Sequence, residues 1–226
     1  MSSYFVTGIG TGVGKSFVTA ALAYQYRRAG KQVKALKPIV SGYDPMSPAR
    51  CDTRILLSAC DLPADEAHID AISPWRFNAP VSPHLAAQAE NRQIVLEEVV
   101  GFCQREMQAA EMMLIEGVGG LLVPLNRQAM VIDWIMALDI PVILVAGSYL
   151  GAINHTLLTL HAMTMAMIDP AVIIVSQSAC DDAGLAETAE AIRNYGNVDC
   201  EVMPLPRVAD ADNPWKFAPD LLSLGL

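Results

Sequence analysis

Short unbroken apolar runs alternate with longer amphipathic stretches along this chain, and polar residues gather just after each apolar run. The runs Tyr4–Thr7, Val33–Leu36, Met112–Ile115, Val142–Val145, Val172–Val175 and Glu201–Met203 predict strands. Helical patterns cover Lys15–Ala29 (closed by Gly30), Thr53–Ala59, His84–Ala89, Val95–Gln108, Ala152–Met167 and Gly184–Tyr195. From Ile39 to Arg50 the chain reads as a Ser-, Gly- and Pro-rich loop, and Leu62–Pro83 as an irregular connection. Strands that are apolar throughout are buried on both faces. The alternation therefore predicts a doubly wound α/β fold: a mostly parallel sheet of about seven strands with helices on both faces, in one domain spanning residues 1–226. Ligands of such sheets sit beyond the carboxyl ends of the strands. The residues there are Gly8–Ser16, Lys37, Glu116, Gly147-Ser148 and Ser176–Ser178.

Composition narrows the ligand. Of 226 residues, 53% are hydrophobic and 17% charged, ample for a buried core. The net charge of -9 and the absence of a Lys/Arg cluster argue against nucleic acid or an anionic membrane as partner. An anion must therefore be held by a few placed cations and backbone N–H groups. Cys51, Cys60, Cys103, Cys180 and Cys200 are scattered, and the four histidines show no metal-ligand spacing relative to them. Reduced thiols and an N-terminus that enters a strand pattern at once lead to the expectation of a cytoplasmic protein.

The first strand runs into Gly8-Ile9-Gly10-Thr11-Gly12-Val13-Gly14-Lys15-Ser16. Such a turn lets backbone N–H groups face a phosphate, and the following helix adds its positive end. Lys15 is placed to reach the β- and γ-phosphates, and the Ser16 hydroxyl to ligate Mg²⁺. Five residues separate Gly8 from Gly14, one more than the usual pattern.

Three further polar residues fall in the same crevice. Lys37 ends the second strand, ahead of Pro38 and Ser41-Gly42. A second cation beside Lys15 suits the charge that builds up on a transferring phosphoryl group. Asp52 opens a short helix, where an Asp serves as a helix cap as readily as a ligand. Glu116 closes a fully apolar strand and starts Glu116-Gly117-Val118-Gly119-Gly120. Ser16, Asp52 and Glu116 together offer hard oxygen donors of the kind Mg²⁺ prefers.

These pieces occur in a familiar order: Thr7–Ser16, Lys37–Gly42, Asp52, Pro80–Ala86, Glu116–Pro124 and Leu150–His155. The sequence closely resembles the dethiobiotin synthetase family over most of its length, the extra loop residue included. The resemblance implies a Mg²⁺-dependent ligase that uses ATP and CO₂ (or bicarbonate) to carboxylate diaminopelargonate and close the ureido ring of dethiobiotin. A carbamate and a carbamic–phosphoric mixed anhydride would be the intermediates. Lys37, Lys15 and Thr11 would be catalytic. Gly12, Val13, Gly14, Lys15, Ser16, Phe17, Asp52, Glu116, Gly117, Val118 and Gly119 would hold the nucleotide and its metal. Ser41, with Thr11, would hydrogen-bond the carbamate, and Pro80, Ser82 and Pro83 would form part of the wall holding the diamine chain.

The resemblance also implies a homodimer with composite sites, in which Gly151, Ala152, Ile153 and Asn154 receive the substrate carboxylate across a two-fold interface. At the base-binding end the family usually has an Asn, whereas this chain has Gln177, followed by Ser178 and, after the last strand, Pro206 and Arg207. The competing reading is a regulatory P-loop ATPase switch of the partitioning type. Such proteins usually carry a lysine early in the loop, where this chain has Ile9-Gly10, and often a basic amphipathic tail, where it has Trp215–Leu222 interrupted by Pro219.

Overall fold

The computed structural model describes residues 2–44, 51–208 and 212–226, so residues 45–50 of the expected Ile39–Arg50 loop lie outside the described residues. Six strands form the main sheet: β1 (Ser2–Gly8), β2 (Val33–Leu36), β5 (Met112–Glu116), β6 (Val142–Gly147), β7 (Pro170–Ser176) and β8 (Glu201–Leu205). Their order is β2-β5-β1-β6-β7-β8, and every pairing is parallel. The chain leaves β1 toward one edge and later returns to build toward the other. The switch point, where a doubly wound sheet opens a crevice, is thus the carboxyl end of β1.

Helix α1 (Lys15–Arg28) crosses from β1 to β2 and packs on α2 (Asp52–Ala59) and a 3₁₀ turn at Pro214–Phe217. Right-handed crossovers in the opposite direction put α5 (Leu96–Met107), α6 (Val131–Leu138), α7 (Ala152–Met165) and α8 (Leu185–Tyr195) on the other face. Strands β5 and β6 are buried at every residue, which is why they read as continuous apolar runs.

Two parts differ from expectation. The main sheet has six strands rather than about seven, and a separate parallel pair joins β3 (Ile39–Ser41) to β4 (Trp75–Phe77). The connection expected to be irregular therefore contains α3 (Glu66–Ile72) and β4, and α4 (Pro83–Ala89) begins at its last residue. Strands of three residues carry no period, and their pairing across the intervening chain leaves no local signal. Helix α6, an apolar turn after the Gly-rich segment, is also absent from the sequence pattern.

Register places the chemistry. Leu36 pairs with Ile115, so the next residues, Lys37 and Glu116, lie side by side. Val6 pairs with Glu116, so the phosphate loop starts two residues beyond that carboxylate. Beneath the loop, Phe5 meets Trp134 edge-on, with ring centroids 4.9 Å apart and planes at 88°, and both side chains are fully buried. We expect Phe5→Ala to lower unfolding stability by about 3–5 kcal/mol, read as a lower urea midpoint with an unchanged slope. A loss below about 1 kcal/mol would mean that this contact does not support the loop.

Candidate active site

The loop Gly8–Ser16 leaves β1 and enters α1 through Gly14, which has a left-handed φ of 101°. A Cβ there would also stand 2.6 Å from Ser176 Oγ, so both conformation and space call for glycine. Lys15 is buried and folds back over the loop, donating to the carbonyls of Gly10 at 2.7 Å and Gly119 at 2.6 Å. These acceptors hold the ammonium where a phosphate oxygen would otherwise meet it.

Lys37 is buried at the carboxyl end of β2. Its ammonium donates to Glu116 Oε1 and to the Gly117 carbonyl at 2.9 Å, and lies 3.3 Å from Asp52 Oδ2. Ser16 Oγ donates to the same Glu116 oxygen at 2.8 Å. Asp52 is the first residue of α2, and the residue at the cap position is Cys51, which makes no side-chain capping bond. Asp52 therefore does not cap the helix, and its carboxylate faces Lys37.

Charge and burial pull these groups in opposite directions. Burial pushes the Lys15 ammonium down, Lys37 adds repulsion, and Glu116 and Asp52 only partly offset both, leaving a pKa of about 8. Burial disfavours the Lys37 ammonium too, but Glu116 and Asp52 outweigh it and hold the group above its ordinary value. For Asp52, burial raises the carboxyl while Lys37, Ser16 and Lys15 together bring it below the usual range.

The oxygen donors fit a hard divalent cation. Glu116 Oε2 is buried without a hydrogen-bond partner, and Ser16 and Asp52 converge on the same space. Among the described residues no group of three or more His, Cys, Asp or Glu side chains could hold a metal by itself. A cation with few protein ligands that takes the rest from phosphates and water suits Mg²⁺.

These groups open into a cleft of about 670 Å³. Thr11, Gly12, Gly14–Phe17, Lys37, Asp52, Glu116, Val118 and Gly119 line it on one side, and Ser41, Pro80 and Ser82 on the other. A neighbouring hollow of about 290 Å³ lies past Gly12, Val13, Gly14 and Phe17, between Gln177, Ser178, Pro206 and Arg207. The structure thus brings most of the expected site residues into two joined spaces. Gly117 offers the carbonyl that Lys37 binds, and its own N–H donates to Val6. Pro83, expected in the same wall, lines the cleft too, whereas sequence reasoning gave no role to Val40, Val81 and Val123, apolar cleft walls that carry no chemical signal of their own.

Gly151, Ala152, Ile153 and Asn154 do not line this cleft. They open α7, where the N–H groups of Ile153 and Asn154 find no acceptor among the described residues. His155 accepts or shares a proton with Tyr149 at 2.8 Å and stays outside the cleft.

The lowered pKa of Lys15 gives a measurable linkage. The lowered pKa means that the charged form is lost as pH rises through about 8, while a bound triphosphate restores it. Calorimetric titration with MgATP at pH 8, in buffers of differing ionisation enthalpy, should report uptake of about half a proton. At pH 6.5 this uptake should vanish. No uptake at pH 8 would remove Lys15 from contact with the phosphates.

The comparisons agree with this geometry. A family profile described as an AAA domain matches residues 2–214. The ATP-dependent dethiobiotin synthetase BioD of Methylobacterium nodulans is 41% identical over 204 residues, covering 88% of this chain and 91% of that protein. The same enzyme from Acidiphilium cryptum is 44% identical over 179 residues, covering 78% and 80%. Among solved structures, a ParA family ATPase from Chlorobium tepidum superposes with a TM-score of 0.50 at 14% identity, covering 90% of this chain and 84% of that one. FtsY from Mycoplasma mycoides gives 0.52 at 14% identity, and this chain, matched over 97% of its length, spans 63% of that one. At such identity the two structures show only the shared P-loop fold. No described helix is long and apolar enough to cross a membrane. With the phosphate loop, Lys37, Asp52 and Glu116 gathered beyond the carboxyl ends of β1, β2 and β5, and relatives this similar across most of their length, the chain belongs to the ATP-dependent dethiobiotin synthetase family.

Proposed function

We propose that this chain makes dethiobiotin from diaminopelargonate, CO₂ and ATP, with Mg²⁺ as cofactor. The observation that carries the reading is the pairing of Lys15 and Lys37 at the floor of one cleft, with the nucleotide hollow on one side and a polar and apolar wall on the other.

In the first step a substrate amine uses its lone pair on CO₂ and loses a proton to solvent, leaving a carbamate. A carbamate oxygen then attacks the γ-phosphorus, the bond to the bridging oxygen breaks, and ADP departs. The second amine adds to the carbonyl of the mixed anhydride and gives up a proton to solvent, and collapse expels phosphate and closes the cyclic urea. Both reactants of the middle step are anionic, so their approach depends on concentrated positive charge. Lys15 neutralises the β- and γ-phosphates, and Lys37 faces the carbamate and the transferring group. When bound, Mg²⁺ neutralises phosphate oxygens, held by Ser16, Asp52 and Glu116. Thr11 and Ser41 orient the carbamate by hydrogen bonds, and Pro80 and Ser82 flank the diamine. Gln177, Ser178, Pro206 and Arg207 form the base site.

The substrate carboxylate is received by a second copy of the chain, through the free N–H groups that open α7. Leu150, Leu158 and Leu122 are 79%, 60% and 53% exposed, an apolar face fit for burial in a dimer. Leu122 and Leu158 share a hollow of about 320 Å³ with Gly10 and Thr11, so this face continues up to the phosphate loop. The net charge of -9 favours small-molecule substrates over nucleic acid or an anionic membrane, and a cytoplasmic setting suits the free thiols.

Incubation with ATP, Mg²⁺, labelled bicarbonate and diaminopelargonate should yield an acid-stable labelled product. ATP hydrolysis without that product, independent of the diamine, would favour the ATPase-switch reading instead. We expect Lys37→Gln to lower kcat by roughly 10²–10³-fold while ATP affinity changes by less than about threefold; near-normal turnover would remove Lys37 from the reaction.

The composite site has its own test. Ile153→Pro deletes a free N–H in the first helical turn, where proline is tolerated. Mixing inactive Lys37→Gln and Ile153→Pro proteins, with subunit exchange, should restore about a quarter of wild-type activity. No recovery from exchanged dimers would place both residues in the same subunit's site.

A further inference from the structure

We propose that Asp181 is a positioning residue that sets which base the nucleotide site accepts, by holding the Gln177 amide in one of its two orientations. The inference rests on the reading of the hollow beside Phe17 as the base site, and concerns a residue that does not line it.

Gln177 follows β7, and its backbone N–H donates to the Leu205 carbonyl at 2.9 Å, fixing where the side chain starts. Its Nε2 donates to Asp181 Oδ2 at 2.8 Å, and its Oε1 accepts from the Arg207 N–H at 2.9 Å. An ionised carboxylate only accepts and a backbone N–H only donates. Both neighbours therefore impose the same orientation, and rotating the amide by half a turn would set oxygen against oxygen and N–H against N–H. The pinned amide keeps one N–H and one oxygen lone pair for the hollow. It can thus tell a base edge that offers donor and acceptor in one order from an edge that offers them in the other.

Asp181 is itself held in place. Ser148 and Ser178 exchange hydrogen bonds, each backbone N–H donating to the other's hydroxyl at 3.0 Å, which ties the ends of β6 and β7 together. The neighbouring Ser148 hydroxyl and the Gln177 amide keep the Asp181 carboxyl below its ordinary range, so it stays an acceptor at neutral pH, and its Oδ1 is buried with no hydrogen-bond partner. The Gly184 N–H closes the turn onto the Asp181 carbonyl at 3.2 Å.

Replacing Asp181 with Asn, which can both donate and accept, leaves the Arg207 N–H as the one group that still fixes the amide, so the turned orientation sets one pair of like groups together instead of two and comes within reach of a base edge of the other order. Calorimetric Kd values for ADP and GDP with wild type and with Asp181→Asn decide the matter, and they need no turnover. Wild type should prefer ADP, and the variant should shrink that preference by about tenfold, chiefly by gaining affinity for GDP. Asp181→Ala, which removes the acceptor altogether, should shrink it similarly. A merely structural role would weaken ADP and GDP alike and leave the ratio unchanged, which overturns the proposal. Equal binding of ADP and GDP by wild type also overturns it. Failure of wild type to bind either nucleotide would instead sink the nucleotide-site reading on which the inference stands.

Discussion

The buried pair of Lys37 and Glu116 is the interaction on which the arrangement of the site depends. Neither group could stand alone in that position. Removing one partner of a buried ion pair typically costs about 3–5 kcal/mol, because the other is left charged and unsolvated. The parallel register of β2, β5 and β1 makes the pair unavoidable, since Leu36 lies against Ile115 and Val6 against Glu116. Once Glu116 is there, Ser16 bonds to it, Asp52 turns toward Lys37, and Gly117 supplies the lysine's remaining acceptor. The sheet thus assembles cations and carboxylates into a self-neutralised unit before any ligand arrives.

This unit explains how a chain of net charge -9 can offer an anion site. The positive charge is local and buried, so it acts over a few ångströms in a medium that screens it weakly. The two lysines are tuned differently by the same surroundings. Lys37 sits between two carboxylates and keeps its proton, whereas Lys15 meets only carbonyl oxygens at close range and has a pKa of about 8. Phosphate oxygens can replace those carbonyls at Lys15, so the loop is poised to gain from binding. For Lys37 the competing partners are full charges, and an anionic ligand has to draw it away from them.

At the far end of the site the logic is hydrogen bonding rather than charge. Gln177 carries an amide on a longer arm than the Asn usual in the family, and the extra length lets it reach both Asp181 and the Arg207 N–H. A flexible side chain is thereby given one orientation by two neighbours of fixed polarity. The turn that carries Asp181 is joined to the end of β6 through Ser148 and Ser178, so the geometry of the hollow beside Phe17 depends on the sheet as well.

Much of this was readable in the chain itself. Continuous apolar runs such as Met112–Ile115 announced strands buried on both faces, and Gly8–Ser16 announced a phosphate loop, because backbone conformation and hydrophobic burial act locally and leave a local pattern. Glu116 stood out for the same reason, a carboxylate closing an apolar strand. The β3–β4 pair and α6 left no such trace, and the function of Asp52 as a partner of Lys37, rather than a cap, depended on where α2 docks. Gln177 was visible as a substitution, but its orientation required Asp181 and Arg207, which reach it from different elements. The sequence by itself determined which residues could carry charge, bend the backbone or be buried. Only the tertiary structure decided which of them meet, since register and docking bring together groups as far apart in the chain as Lys37 and Glu116, a distance no local periodicity encodes.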